Sequence, residues 1–212
     1  MSTDIAKARP AAQSQVTQTP TASTEPTAAA GTRERLLEAV ATLSYRDGVS
    51  VGVDALCKAA GVSKRSMYKL FSTKDEMLAA SLERRAAQPS ALLPPADGGL
   101  SPREQIMYVF ERAEEIAPSP EYRGCPYLAM QVELKDAENP ASQVAARIKR
   151  ELQRYFEELA RQGGAEDPQR VARQLILVFD GASARAGIGA DSLEGHLASA
   201  MVSTLLDAAG VH

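Results

Sequence analysis

The 212-residue chain is 44% hydrophobic and 24% charged, carries a net charge of −3, and has two cysteines and two histidines. That composition is ordinary for a soluble globular protein with one large domain or two small ones, and it excludes a disulfide framework and a Cys/His zinc site, whose ligands would be too few and wrongly spaced. No apolar run approaches the ~20 residues needed to span a bilayer and no apolar signal core opens the chain, so the expected location is the cytoplasm.

Residues 1–31 are rich in Ala, Thr, Pro, Gln and Ser and balance their charges. Too little apolar surface is present to offset the entropy of ordering, so this segment reads as a disordered tail. Residues 32–85 then hold 10 Lys/Arg against 7 Asp/Glu, while residues 86–212 hold 12 against 18. One short basic segment is thus set on an acidic body, which points to an anionic partner for that segment alone.

From Thr32 the apolar spacing is helical. Thr32 is the expected N-cap of a first helix with Leu36, Val40 and Leu43 on one stripe, stopped by Gly48. "VDALCKAAG" reads as a short second helix ending at Gly61. Ser63 caps a third, from Lys64 to about Phe71, and Thr73 with Glu76 forms a capping box for a fourth. After the Pro/Gly-rich break "QPSALLPPADGG", Ser101, Pro102 and Glu104 start the next helix. Further helices start at Pro126, at Asn139-Pro140 and at Asp167-Pro168, and the last spans "SLEGHLASAMVSTLLDAAG". No segment alternates as a strand does and no fixed repeat is present. The expected fold is all-α with about nine helices. Its expected divisions are the tail at 1–31, a helix-turn-helix unit at 32–80 and a helical body at 81–212.

Two helices of about eight residues joined by "GVS" have the size of a helix-turn-helix. Gly61 reverses the backbone, Val62 plugs the gap, and Ser63 caps a helix whose free amides and dipole favour a phosphate. Met67, Leu70 and Phe71 should pack on Leu56, Ala60 and the first helix. That leaves Lys64, Arg65, Ser66, Tyr68 and Lys69 pointing elsewhere, on a helix that can enter a major groove. The plain alternative is a solvated basic face.

"GVDALCKAAGVSKRSMYKLFSTKDEML" resembles the DNA-binding domain of the TetR (tetracycline repressor) family. The resemblance is carried by the run Cys57-Lys58-Ala59-Ala60-Gly61-Val62-Ser63, by Met67-Tyr68 and Phe71, and by Lys74-Asp75-Glu76-Met77-Leu78. "RGCPYLAMQVEL" also resembles a motif in the C-terminal domains of some members. The resemblance implies that Lys64, Arg65 and Ser66 face base edges and that Tyr68 and Lys74 touch phosphates. Three positions depart from the family pattern: Leu70 stands where His or Tyr is usual, Gly52 where Ser or Thr is usual, and Cys57 where Ala is usual.

The resemblance also implies a two-helix dimer surface near the C-terminus. Val171, Leu175, Val178 and Ala182 recur at helical spacing on the penultimate helix, with Gly181, Ala184 and Ala186 allowing close approach. Leu193, Leu197, Ala200, Met201, Thr204 and Leu205 do likewise on the last. The alternative is that these stripes face the monomer's own core. "LILVF" is apolar on most faces, so its helix must bury more than one side.

By the same resemblance a small-molecule effector would bind among the middle helices. Candidate lining residues are Met107, Phe110, Tyr127, Met130 and Phe179, with Arg185 or Glu133 as polar anchor. Cys125 precedes Pro126 at a helix start and reads as a packed thiol or helix-entry residue; a thiol whose pKa the dipole lowers, suited to redox sensing, is the alternative.

No nucleophile with a placed base, phosphate-cradling glycine loop or metal-ligand set is present, so no catalytic residue and no cofactor are implied. The adjacent pairs Glu114-Glu115 and Glu157-Glu158 diverge on a helix and read as solvated surface. The resulting expectation is a non-enzymatic, ligand-responsive regulator. It would act as a homodimeric repressor on a palindromic double-stranded DNA operator. An activator of the same fold, or a helical module docking an acidic protein, are the alternatives.

Overall fold

Capping residues and chain-breaking Gly and Pro partition the described residues into nine α-helices, with no strand among them. The computed structural model describes residues 28–212 except Pro89 and Ala96. The expected tail therefore lies outside the described residues up to position 27. Positions 28–31 already belong to α1 (Ala28–Asp47). Thr32 sits inside that helix instead of capping it, because the alanines before it extend the helix at little cost.

α2 (Val53–Ala60) and α3 (Lys64–Leu70) are short. α4 (Lys74–Ala86) starts under Thr73, whose hydroxyl accepts from the Glu76 amide at 3.1 Å. The Glu76 carboxylate reaches one residue further back than the expected box, accepting from Ser72 N at 2.7 Å. α5 (Pro102–Ile116) has the complete reciprocal box of Ser101 and Glu104. α6 (Pro126–Leu134), α7 (Pro140–Gln162) and α8 (Pro168–Gly187) each open on a proline, which suits the first helical turn. α9 (Leu197–Ala208) starts five residues after Ser192, where the sequence placed it. Leu193, Gly195 and His196 have φ of +59°, +74° and +60°, and these left-handed residues keep the preceding segment out of the helix.

The helices bury two principal cores. The first joins α1 to α4 through Leu36, Leu37, Val40, Leu56, Met67 and Met77, and Met130 of α6 and Ala141 and Ala145 of α7 complete it. The second joins α5, α7, α8 and α9 around Phe110, Phe156, Leu175 and Val202. Phe110 stacks on Phe156 at 5.7 Å and meets Phe179 edge-on at 6.2 Å. α7 touches both cores, so it forms the spine between the two ends of the molecule.

α8 is apolar on two sides. Val171, Leu175 and Phe179 fill the second core, and Val178 and Ala182 pack partly against it. Half of the expected dimer stripe is therefore the protomer's own interior. The outward face carries Leu177, Gly181, Ala184 and Ile188 instead, with Leu177 73% and Ile188 80% exposed. On α9, Leu197, Ala200, Met201 and Thr204 face outward, whereas Leu193 is buried and Leu205 half-buried.

Backbone meets backbone where the loop before α6 crosses α8. A Cβ on Gly124 would lie 2.7 Å from the Ser183 carbonyl oxygen, and one on Gly187 would lie 2.5 Å from the Arg123 carbonyl. Both positions therefore require glycine.

Glu114 corrects the surface reading. It is buried on α5, facing the start of α9. Its carboxylate accepts from Ala198 N at 2.7 Å, from Ser199 N at 3.0 Å and from the Ser199 hydroxyl at 2.7 Å. His196 supplies no side-chain cap to α9, so a carboxylate from another helix satisfies these amides and the positive end of the dipole. Glu115 and Glu158 do lie at the surface, paired with Arg112 and Arg161. Replacing Glu114 with Ala would strand the two amides, while the Ser199 hydroxyl would keep the His196 carbonyl at 3.3 Å. Glu114→Ala is expected to lower unfolding free energy by about 2–4 kcal/mol in urea titration, whereas Glu115→Ala should change it by less than about 0.5 kcal/mol.

Candidate nucleic-acid interface and effector cavity

The turn between α2 and α3 follows from two residues. Gly61 takes φ +63°, and the next amide, Val62 N, returns to the Cys57 carbonyl at 2.9 Å, closing α2. Ser63 then caps α3, its hydroxyl accepting from Ser66 N at 3.1 Å. The Ser66 hydroxyl lies 2.9 Å from that of Ser63, so both serines are engaged in the cap.

α3 has two chemically distinct sides. Met67 is fully buried, Phe71 nearly so, and Leu70 packs against the same core. The Arg33 guanidinium covers the Phe71 ring at 5.4 Å. On the opposite side Arg65, Tyr68 and Lys69 share one face at i, i+3 and i+4 spacing, and all three are exposed. None of them has a hydrogen-bond or ion-pair partner among the described residues.

The other expected contacts are placed differently. The Lys64 ammonium pairs with Asp54 of α2 at 2.7 Å, which raises its pKa through the Asp54 hydrogen bond and charge. The pair is exposed and therefore weak and salt-screened, so Lys64 is exchangeable. Lys74 is half-buried and its ammonium donates to the Val49 carbonyl, which ties α4 to the turn between α1 and α2. Lys74 thus holds the scaffold with at least one of its three donors. Gly52 begins α2 without a side-chain cap, as its lack of a hydroxyl dictates.

The same turn is gripped from the body. Gly48 has φ +84°, and the Glu133 carboxylate of α6 accepts from Val49 N at 2.7 Å. Three residues earlier the Tyr45 hydroxyl donates to the Gly124 carbonyl at 2.9 Å and accepts from Arg123 N at 2.9 Å. Tyr45 and Glu133 thereby couple α1 to both ends of the stretch that leads into and along α6. Neither coupling is readable in sequence, because the partners are about eighty positions apart.

A cavity of about 570 Å³ opens between the C-terminal end of α4 and helices α5 to α8. Of the candidate ligand-lining residues, Tyr127 and Phe179 border it. Tyr45, Tyr122 and Tyr155 do so as well and were missed, since only the fold brings them together. The remaining candidates lie elsewhere. Met107 and Phe110 pack in the second core. Met130 and Glu133 border a separate crevice of about 30 Å³, room for about one water molecule. Arg185 is exposed beside Asp191 at 3.4 Å.

Cys125 lines the cavity at the head of α6. Burial pushes its thiol pKa up and outweighs the lowering by Lys149 and nearby amides, the direction that suits a packed thiol. Cys57 is buried and its thiol is likewise raised by burial. Among the described residues no His/Cys/Asp/Glu group is arranged to hold a metal ion, and no helix is long and apolar enough to cross a membrane.

Residues 36–81 match the model of the family described as bacterial regulatory proteins, tetR family. A TetR-type transcriptional regulator from Streptomyces avermitilis is 65% identical, with 85% of this chain and 99% of that chain covered, at a TM-score of 0.82. A TetR-family transcriptional regulator from Streptomyces coelicolor is 25% identical over 85% of this chain and 96% of that one, at a TM-score of 0.72. The reduced form of E. coli NemR shares the fold at 24% identity and a TM-score of 0.71, with 82% of this chain and 95% of that one covered. No curated protein matches the chain.

Tyr45→Phe deletes both hydrogen bonds of the hydroxyl and leaves the Gly124 carbonyl and the Arg123 amide without it. It is expected to lower stability by about 1–2 kcal/mol and to speed hydrogen exchange at the Arg123 amide while leaving α9 amides unchanged.

Proposed function

The chain belongs to the TetR family of bacterial regulatory proteins and is a DNA-binding transcriptional regulator, and from that premise we propose that it is a ligand-responsive repressor. It acts as a homodimer on a palindromic operator. The single observation that carries this reading is the face of α3 on which Arg65, Tyr68 and Lys69 stand exposed and unpartnered while Met67 and Phe71 anchor the back. A rigid short helix of this kind meets a major groove with a guanidinium for base edges and an ammonium and phenol for phosphates. Lys64 joins them when a phosphate displaces Asp54, and Ser63 and Ser66 hold the start of the helix. Lys74 serves backbone binding by holding α4 to the Val49 turn. Repression by occupancy requires no chemistry from the protein.

The outward faces of α8 and α9 support the homodimer. Leu177, Ile188 and Met201 are more than half exposed, which is costly for a monomer and suits an isologous four-helix contact. Two reading heads related by a two-fold axis match half-sites about one helical turn apart, or a multiple of it. The cavity supports ligand response, because its wall includes Tyr45 and the end of α4, both part of the DNA-binding end.

Selection of bound sequences from a random duplex pool tests the reading. An enriched inverted repeat is the expected result, and failure to retain any duplex at low salt would sink it. Lys69→Ala should weaken binding to all sequences alike and reduce the log–log salt slope by about one. Arg65→Ala should instead erase about 1–3 kcal/mol of discrimination at one position of each half-site, read from competition with single-base variants. Leu177→Glu should convert the dimer to monomer in sedimentation velocity without unfolding it, because that side chain is absent from the protomer's core.

A further inference from the structure

The cavity's chemistry narrows the ligand left open above, and the inference rests on that ligand-response reading. Four of the chain's six tyrosines, Tyr45, Tyr122, Tyr127 and Tyr155, line this one space together with Phe179. Leu92, Val109, Ile116, Ile148 and Leu152 supply the rest of an apolar wall. A space of this volume, mostly apolar with a few polar tips, suits a small organic molecule whose body is aromatic.

The charges in the wall differ in whether they are already neutralised. Lys149 pairs with Asp180, lies mostly buried, and packs over the Phe179 ring at 5.0 Å. Glu151 pairs with Arg147 at 2.7 Å. Arg85, in the last turn of α4, has no carboxylate partner among the described residues. Its guanidinium stands 5.4 Å from the centre of the Tyr45 ring, and its charge reaches the Tyr127 phenol, whose pKa is raised chiefly by burial and lowered by Arg85. The wall therefore offers one uncompensated charge, and that charge is positive.

We propose that the effector is a small aromatic carboxylic acid. It binds as the anion, with its ring among the cavity tyrosines and its carboxylate on Arg85. A guanidinium presents paired N–H donors that a carboxylate accepts in a bidentate contact, and no other wall group is free to do this. A cationic ligand would have to take Glu151 from Arg147. A neutral ligand leaves Arg85 with water alone. The anchor lies on α4 and over Tyr45, so occupancy pulls on the elements that carry the DNA-binding end.

Titration calorimetry on the DNA-free full-length protein tests this with benzoate, naphthalene carboxylate and biphenyl carboxylate, each beside its primary amide and its aminomethyl analogue. At least one acid is expected to bind about tenfold or more tightly than both its analogues, since a charged hydrogen-bonded pair contributes about 1.5–3 kcal/mol. In Arg85→Gln, where an exposed side chain is exchanged and folding is undisturbed, that preference should disappear while amide affinity stays the same. The assignment is overturned if every acid binds no better than its amide, or fails to bind, or if Arg85→Gln retains the preference. A gel shift of the same samples without ligand reads the DNA-binding function separately, so loss of one reading leaves the other standing.

Discussion

The anchoring of Met67 and Phe71 beneath α3 is the constraint on which the rest depends. A seven-residue helix has too few internal hydrogen bonds to persist alone in water, so its existence and orientation are tertiary facts. Burying a methionine and a phenylalanine contributes about 1.5–3 kcal/mol each relative to exposure. The exposed ion pairs around the turn, such as that of Lys64 with Asp54, are too weak and too salt-sensitive to set the angle. Apolar packing decides where the helix points, and the cationic residues inherit that direction.

Packing at this end is not self-contained. Met130, Ala141 and Ala145 belong to the same core as Met67, so α6 and the start of α7 form part of the floor on which α1 to α4 rest. The turn after α1 is the narrow point. Val49 there donates its N–H to Glu133 of α6, and its carbonyl accepts from Lys74 of α4. One residue therefore feels both the body and the helix that follows α3. A shift of α6 relative to α4 cannot leave both bonds intact.

Much of this was legible in the chain itself. The helix boundaries at Gly61, Ser63, Ser101, Pro126, Asn139 and Asp167 depend on local backbone chemistry, and local chemistry is what a sequence displays. The two sides of α3 were equally readable, because a period of 3.6 separates Met67 and Phe71 from Arg65 and Lys69. Errors arose where the deciding partner lay far along the chain. Glu114 looked like surface because Ala198 and Ser199, which it caps, are on another helix. Val171 and Leu175 looked like an interface because a helix apolar on two sides does not announce which side turns inward. The cavity is half visible: Tyr127 and Phe179 are candidates from the sequence, but Tyr45, Tyr122 and Tyr155 converge on them only through the packing of α1, the loop before α6, and α7. The bond from Lys74 to the Val49 carbonyl was likewise hidden, because it spans twenty-five positions.

The crossing of Gly124 and Gly187 ties together residues that no side chain connects. With no Cβ on either side, the loop that holds the Tyr45 hydroxyl lies directly on the main chain of α8, the helix whose far side carries Leu177 and Ile188. Nothing compressible separates the two. Any mutation that adds even a methyl group at this seam must lift the loop, and with it both hydrogen-bond partners of Tyr45. Drift at positions 124 and 187 is thus barred by geometry alone, whatever the protein recognises at either of its ends.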